Sequence, residues 1–166
     1  SKADEARRYV DLGVAEIDMV ANYGLILSGE WELVEQDIRA VSGVTGPAGV
    51  LLKVILETCQ LSTDRIARAT GLAADAGADF VKTSTGFSTE GATEEAVRTM
   101  VEAAAGRIRI KASGGIRDMG RARRFIEMGC SRLGVNYTTA AALCGEARGG
   151  SGGSASAGGA FAGSGY

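Results

Sequence analysis

Ala78-Asp79-Phe80-Val81-Lys82-Thr83-Ser84-Thr85-Gly86-Phe87 is a short apolar run that ends on a lysine and passes at once into hydroxyl residues and glycine. A run this short, with Gly77 before it and Gly86 after, reads as a buried strand over Asp79 to Thr83. Similar runs recur on either side, at Val14 to Val20, Val50 to Leu56, Arg107 to Lys111 and Arg132 to Val135. Amphipathic stretches at Lys2 to Leu12, Glu30 to Ser42, Thr63 to Ala76, Thr93 to Ala105, Asp118 to Met128 and Thr138 to Glu146 fit as helices between them. Ser62 or Thr63, and Thr93, are placed to cap helix N-termini, and Gly13, Gly77 and Gly129 stand where a left-handed C-terminal cap is wanted.

Strands alternating with helices build a parallel α/β sheet, and strands this apolar need cover on both faces or closure into a barrel. A (β/α)8 barrel of TIM type takes eight strands and about 250 residues. This chain has 166 residues. It is therefore either an open sheet or most of a barrel, and its start on a helix favours the barrel. The expected domain spans residues 1–148. From 149 to 166 the composition turns to Gly and Ser and ends in Tyr166, which predicts a flexible tail. At about 17 residues its r.m.s. reach is roughly 20 Å, enough for Tyr166 to return to the domain.

Composition removes several function classes. The sequence has no histidine, so Ser-His-Asp and Cys-His triads, HExxH zinc sites and histidine acid–base chemistry are excluded. A net charge of −2 offers no general attraction to nucleic acid, and Arg121, Arg123 and Arg124 read as a solvated helix face. Cys59, Cys130 and Cys144 lack CxxC spacing and are expected to be reduced and buried. No apolar run approaches the roughly 20 residues of a membrane span, and no signal-peptide pattern opens the chain, so a cytoplasmic protein is expected.

Lysine and carboxylate remain for chemistry. Asp18, Lys82 and Lys111 fall at the C-terminal ends of predicted strands, where barrels and parallel sheets place active sites. A lone lysine there is explained by snorkelling at the rim or by an ion pair with Asp18. Two lysines on consecutive strands are another matter, because parallel neighbours lie about 4.8 Å apart. At roughly 5 Å and an effective dielectric of about 20 their repulsion is about 3 kcal/mol, enough to lower one ammonium pKa by about two units. Such tuning serves a nucleophilic amine. Asp18 supplies a carboxylate that shuttles protons through water, neutralises the lysines, or does both. Lys53 shares a face with Glu57 by period-two alternation and reads as a buried polar partner behind the site. The turns Ser113-Gly114-Gly115-Ile116 and Gly134-Val135-Asn136 form, as a pair, a candidate phosphate site.

Four runs together, Glu16-Ile17-Asp18-Met19-Val20, Leu51-Leu52-Lys53-Val54-Ile55-Leu56-Glu57-Thr58, Ala78 to Phe87, and Ile110-Lys111-Ala112-Ser113-Gly114-Gly115-Ile116-Arg117, resemble the deoxyribose-phosphate aldolase family in wording, order and spacing. The resemblance covers residues 1 to about 147, and Tyr166 is similar to a C-terminal tyrosine that assists proton transfer in some members. It implies a class I, metal-independent lyase on a (β/α)8 barrel that needs no cofactor. The reaction it implies is reversible cleavage of 2-deoxy-D-ribose 5-phosphate to D-glyceraldehyde 3-phosphate and acetaldehyde. Lys82 would be the Schiff-base amine, Lys111 the second lysine that tunes it, and Asp18 the proton relay. Thr85, Gly86, Gly114, Gly115, Gly134 and Asn136 would hold substrate and phosphate.

Two departures bear on that expectation. The family has three further strands before the one carrying Asp18, so the five read here correspond to its fourth to eighth. An incomplete chain, or one whose edge is covered in a homo-oligomer, follows from this. Tyr137 stands after Asn136 where small hydroxyl residues are usual, and it is expected to crowd the phosphate pocket. The alternatives are a lysine-dependent barrel aldolase with a different donor or acceptor, and an inactive barrel fragment.

Overall fold

The computed structural model describes residues 1–149. Its strands are β1 (Glu16–Val20), β2 (Leu51–Ile55), β3 (Phe80–Lys82), β4 (Arg109–Ser113) and β5 (Arg132–Gly134). The helices are α1 (Lys2–Asp11), α2 (Tyr23–Ser28), α3 (Trp31–Thr45), α4 (Thr63–Asp75), α5 (Glu94–Ala104), α6 (Met119–Glu127) and α7 (Tyr137–Gly149), with a 3-10 turn at Thr58–Gln60. All five expected strands are present. The tail after 149, with Tyr166, lies outside the described residues. No helix among those residues is long and apolar enough to cross a membrane.

Local chemistry accounts for most of the boundaries. Thr93 accepts a hydrogen bond from the Ala96 amide at 3.1 Å to start α5, and Asp118 accepts from that of Arg121 at 2.8 Å to start α6. Ser62 occupies the cap of α4 but makes no side-chain capping bond. Gly13, Gly77 and Gly129 follow α1, α4 and α6 with positive φ, as the sequence requires. The unexpected α2 is opened by Asn22, which accepts from the Leu25 amide at 3.2 Å, and closed by left-handed Gly29. Six residues are too few for a helical period to stand out. Strand β4 begins two residues later than expected because left-handed Ala105 and the Arg107-to-Ala104 bond prolong the turn after α5.

The strands are all parallel and lie in the order β1-β2-β3-β4-β5. A doubly wound open sheet reverses its order at a switch point, whereas a barrel adds each strand beside the last. The sheet is also strongly curled. Laid flat, β1 and β5 would stand about 19 Å apart. Instead Arg132 of β5 donates from Nη1 to both Glu16 carboxylate oxygens of β1 at 2.7 Å. The sheet is thus of barrel type, with its first and last strands tied across the concave side.

Period-two alternation divides the sheet. Met19, Leu52, Val54, Val81, Ile110 and Ala112 are buried in one core with Val34, Ile38 and Val41 of α3, Ile66 of α4, Val97 and Met100 of α5, and Phe125 of α6. The intervening residues include the charged Glu16, Asp18, Lys53, Lys82, Lys111 and Arg132, which meet across the concave side. The three cysteines are free, but only Cys130 is buried; Cys59 is half-buried on its turn and Cys144 is exposed on α7. Helix spacing alone did not reveal which face Cys144 takes. Arg121, Arg123 and Arg124 are exposed, as expected, with Arg124 pairing to Glu94 at 3.2 Å.

Candidate active site

Lys82 is the last residue of β3, and its Nζ donates to Asp18 Oδ2 at 2.8 Å. Lys111 sits level with it on β4. The pair is therefore side by side, although Lys111 and Asp18 lie in the middle of their strands rather than at the ends. Lys82 reaches a strand end because β3 is only 3 residues long. Lys82 is only 9% exposed.

Asp18 is shared between two lysines: Lys53 donates to its Oδ1 at 2.6 Å and also contacts Glu16 Oε2 at 2.7 Å. An unbroken ionic chain, Lys82–Asp18–Lys53–Glu16–Arg132, crosses the concave side. Lys53 does not share a site with Glu57, because the chain turns left-handed at Glu57, with φ 55, and the alternation stops there. Lys53 is nevertheless the buried polar partner expected behind Lys82.

This chain of charges shifts the titration of Asp18, Lys53 and Glu16. Burial acts to raise the Asp18 pKa, but hydrogen bonds from Lys53 and Lys82 outweigh it and the net direction is down. At Lys53 burial acts downward, and the bonds to Asp18 and Glu16 overcome it, so its ammonium is held more firmly than usual. Arg132, then Lys53, holds Glu16 down to about 2. Among the described residues Lys111 has no carboxylate in hydrogen-bond contact, and burial followed by the charge of Lys82 lowers its pKa. The electrostatic lowering thus falls on Lys111, the lysine that the resemblance gives as the tuning partner rather than the nucleophile.

Lys82 and Lys111 open into a cavity of about 660 Å³ that is also lined by Thr85, Gly86, Gly114, Gly115, Gly134 and Asn136. All six residues expected to hold substrate are therefore brought together with both lysines. Gly134 allows this geometry: a Cβ there would stand 2.8 Å from Ser113 Oγ and 3.4 Å from Lys111 Cε. Gly114 passes so close to Gly91 that a Cβ on Gly91 would fall 2.3 Å from the Gly114 carbonyl, locking the β3–α5 and β4–α6 loops together. The amides of Gly86 and Gly115 donate to no acceptor among the described residues.

Ser113, Ile116 and Val135 of the two expected turns also line the cavity, and sequence reasoning missed Arg117 and Thr139 beside them. Arg117 lay in plain view within the glycine turn, where a cation beside free amides suits an anion. Tyr137 does not crowd the cavity; it is 86% exposed and absent from the lining. Helix α7 begins at Tyr137, one residue earlier than expected, and Asn136 Oδ1 accepts from Thr138 N and Oγ1 at 3.2 Å, with the tyrosine turned outward. Among the described residues no three His, Cys, Asp or Glu side chains converge as a metal site.

A curled parallel sheet with a level pair of lysines on its concave side, opening on a cavity with free amides, is the framework of an α/β-barrel protein. Comparison with known proteins narrows this. The model of the DeoC/LacD family aldolases matches residues 1–136, and the chain belongs to that family. The deoxyribose-phosphate aldolase of Deinococcus radiodurans is 50% identical over 135 residues, covering 81% of this chain. That of Geobacillus sp. (strain WCH70) is 48% identical over 136 residues, covering 82%. The chain spans 60% of the length of either relative. Among solved structures, the tetrameric deoxyribose phosphate aldolase of Aeropyrum pernix superposes with a TM-score of 0.77 at 28% identity, over 89% of this chain and 61% of that one.

Proposed function

We propose that the cavity is the Schiff-base site of a deoxyribose-phosphate aldolase, with Lys82 as the amine. The observation that carries this reading is the level pairing of Lys82 and Lys111 in one cavity, with Asp18 2.8 Å from the Lys82 nitrogen. Lys82 passes a proton to Asp18 and attacks C1 of the open-chain sugar. Asp18, directly or through water, returns the proton to the carbinolamine hydroxyl, which leaves as water to give the imine. Electrons from the C2–C3 bond flow into that imine as the C3 hydroxyl passes its proton through water to Asp18, releasing D-glyceraldehyde 3-phosphate and leaving that proton for C2. The remaining enamine is protonated at C2 and hydrolysed to acetaldehyde.

Because Lys53 also donates to Asp18, the carboxylate is a poor resting place for a proton and serves only in transit. Lys111 lacks such a carboxylate bond among the described residues and keeps a positive field beside Lys82 when protonated. The amides of Gly86 and Gly115 and the Arg117 guanidinium favour an acceptor with an anionic end. Self-association, as in the tetrameric Aeropyrum pernix relative, belongs to the same reading. The test is cleavage of 2-deoxyribose 5-phosphate against unphosphorylated 2-deoxyribose, followed by acetaldehyde release. Preference for the phosphorylated sugar, abolished in Lys82→Ala, supports the proposal; a folded protein that cleaves neither contradicts it.

A further inference from the structure

Glu57 is a buried carboxylate, 5% exposed, on a left-handed backbone with φ 55, and it forms no ion pair among the described residues. Burying an acid without a cation, on a conformation that side chains rarely adopt, is unfavourable unless something else holds it there. Among the described residues its carboxylate hydrogen-bonds to one residue of the neighbouring loop. Glu57 Oε2 accepts from Thr85 Oγ1 at 2.5 Å, and Oε1 accepts from the Thr85 amide at 3.3 Å. Thr85 Oγ1 in turn accepts from the Phe87 amide at 3.1 Å. The Thr85 hydroxyl therefore has its proton committed to Glu57, although the residue lines the cavity.

The left-handed turn is what directs Glu57 sideways. On either side of it the chain still pairs with β3 and the residue after it, through Leu56 N to Lys82 O at 3.0 Å and Thr58 N to Thr83 O at 2.9 Å. Two further bonds join the same loops, from Cys59 Sγ and Gln60 Nε2 to Ser88 Oγ, both 3.2 Å. The loop after β2 thus grips the loop after β3 on both sides of Gly86.

We propose that Glu57 is a positioning residue: by holding Thr85 through both carboxylate oxygens, it fixes the β3–α5 loop so that Gly86 presents its free amide to the anionic end of the substrate. This rests on the proposed aldolase site and adds the group that sets its acceptor affinity. Acetaldehyde, which has no anionic end, does not need that amide. The two carbonyl compounds therefore separate positioning from chemistry.

The test is borohydride trapping on Lys82 at increasing concentrations of either 2-deoxyribose 5-phosphate or acetaldehyde, in wild type and Glu57→Gln. The variant should need about tenfold more sugar phosphate for half-saturation, the effect of one lost charge-assisted bond, with the acetaldehyde curve moved less than about twofold. In a double-mutant cycle with Thr85→Val the two shifts should be less than additive, because Glu57 acts through that residue. Equal shifts for both compounds, or none, would overturn the proposal. If wild type traps neither compound, the proposed function fails, and hydrogen exchange then decides the positioning role. Thr85 and Phe87 amides that are protected in wild type and fast in Glu57→Gln uphold it; unchanged exchange refutes it.

Discussion

The two faces of the sheet are made by neighbouring residues yet obey opposite rules. On the helix side Leu52, Val54 and Val81 are completely buried and carbon meets carbon. On the concave side, one residue away in each strand, Lys53 and Lys82 meet Asp18, and Glu16 meets Arg132. The first face supplies non-directional burial that holds the strands in register; the second supplies charges whose positions follow from that register. A barrel-type sheet can thus carry a costly ionic layer because the opposite face stabilises it. Stability and chemistry should separate by face.

The largest expected departure is on the apolar side. Leu52→Ala should destabilise the fold by about 2–5 kcal/mol, measured by urea unfolding, while the protein that remains folded still traps acetaldehyde on Lys82. An unchanged midpoint would break the distinction between faces. On the charged side Asp18→Asn removes the acceptor shared by Lys53 and Lys82 and should slow trapping by about 100-fold, with a smaller loss of stability than Leu52→Ala. If the stability loss were the larger of the two, the concave layer would be chiefly structural.

Lys82→Met should raise the Lys111 pKa towards that of an ordinary lysine, because it deletes the second cause of its depression, and only partly, because burial is the first. An NMR titration of the Lys111 side chain reads this directly; a fall would contradict the assigned repulsion. The smallest effect concerns Glu16, whose pKa is lowered from 4.5 to about 2. A depressed carboxylate contributes stability that is present above its unfolded pKa and lost as pH falls through the folded one. Unfolding midpoints should therefore fall between pH 4.5 and about 2, and fall less steeply in Glu16→Gln. Parallel pH profiles would remove Glu16–Arg132 as a tie between the first and last strands.

Much of this division was legible in the sequence, because strand alternation is a local property. Lys82 and Lys111 stood out as charges in apolar runs, and the glycine turns after β4 and β5 marked the cavity floor. What escaped depended on the backbone leaving its regular path or on contacts across the curled sheet. Lys53 was paired with Glu57 by alternation, but the left-handed turn at Glu57 sends that carboxylate to Thr85 and leaves Lys53 to Asp18 and Glu16. The contact between Glu16 and Arg132 spans 116 positions and depends on sheet curvature, which no local pattern encodes. Tyr137 looked obstructive because the early start of α7, which turns it outward, was not anticipated.

The most direct test of the central claim is borohydride reduction with acetaldehyde followed by peptide mass mapping. The account predicts one two-carbon adduct, on Lys82, absent from Lys82→Ala. A folded protein that carries no adduct, or carries it on Lys111, the amine with the lowered pKa, would contradict the assignment.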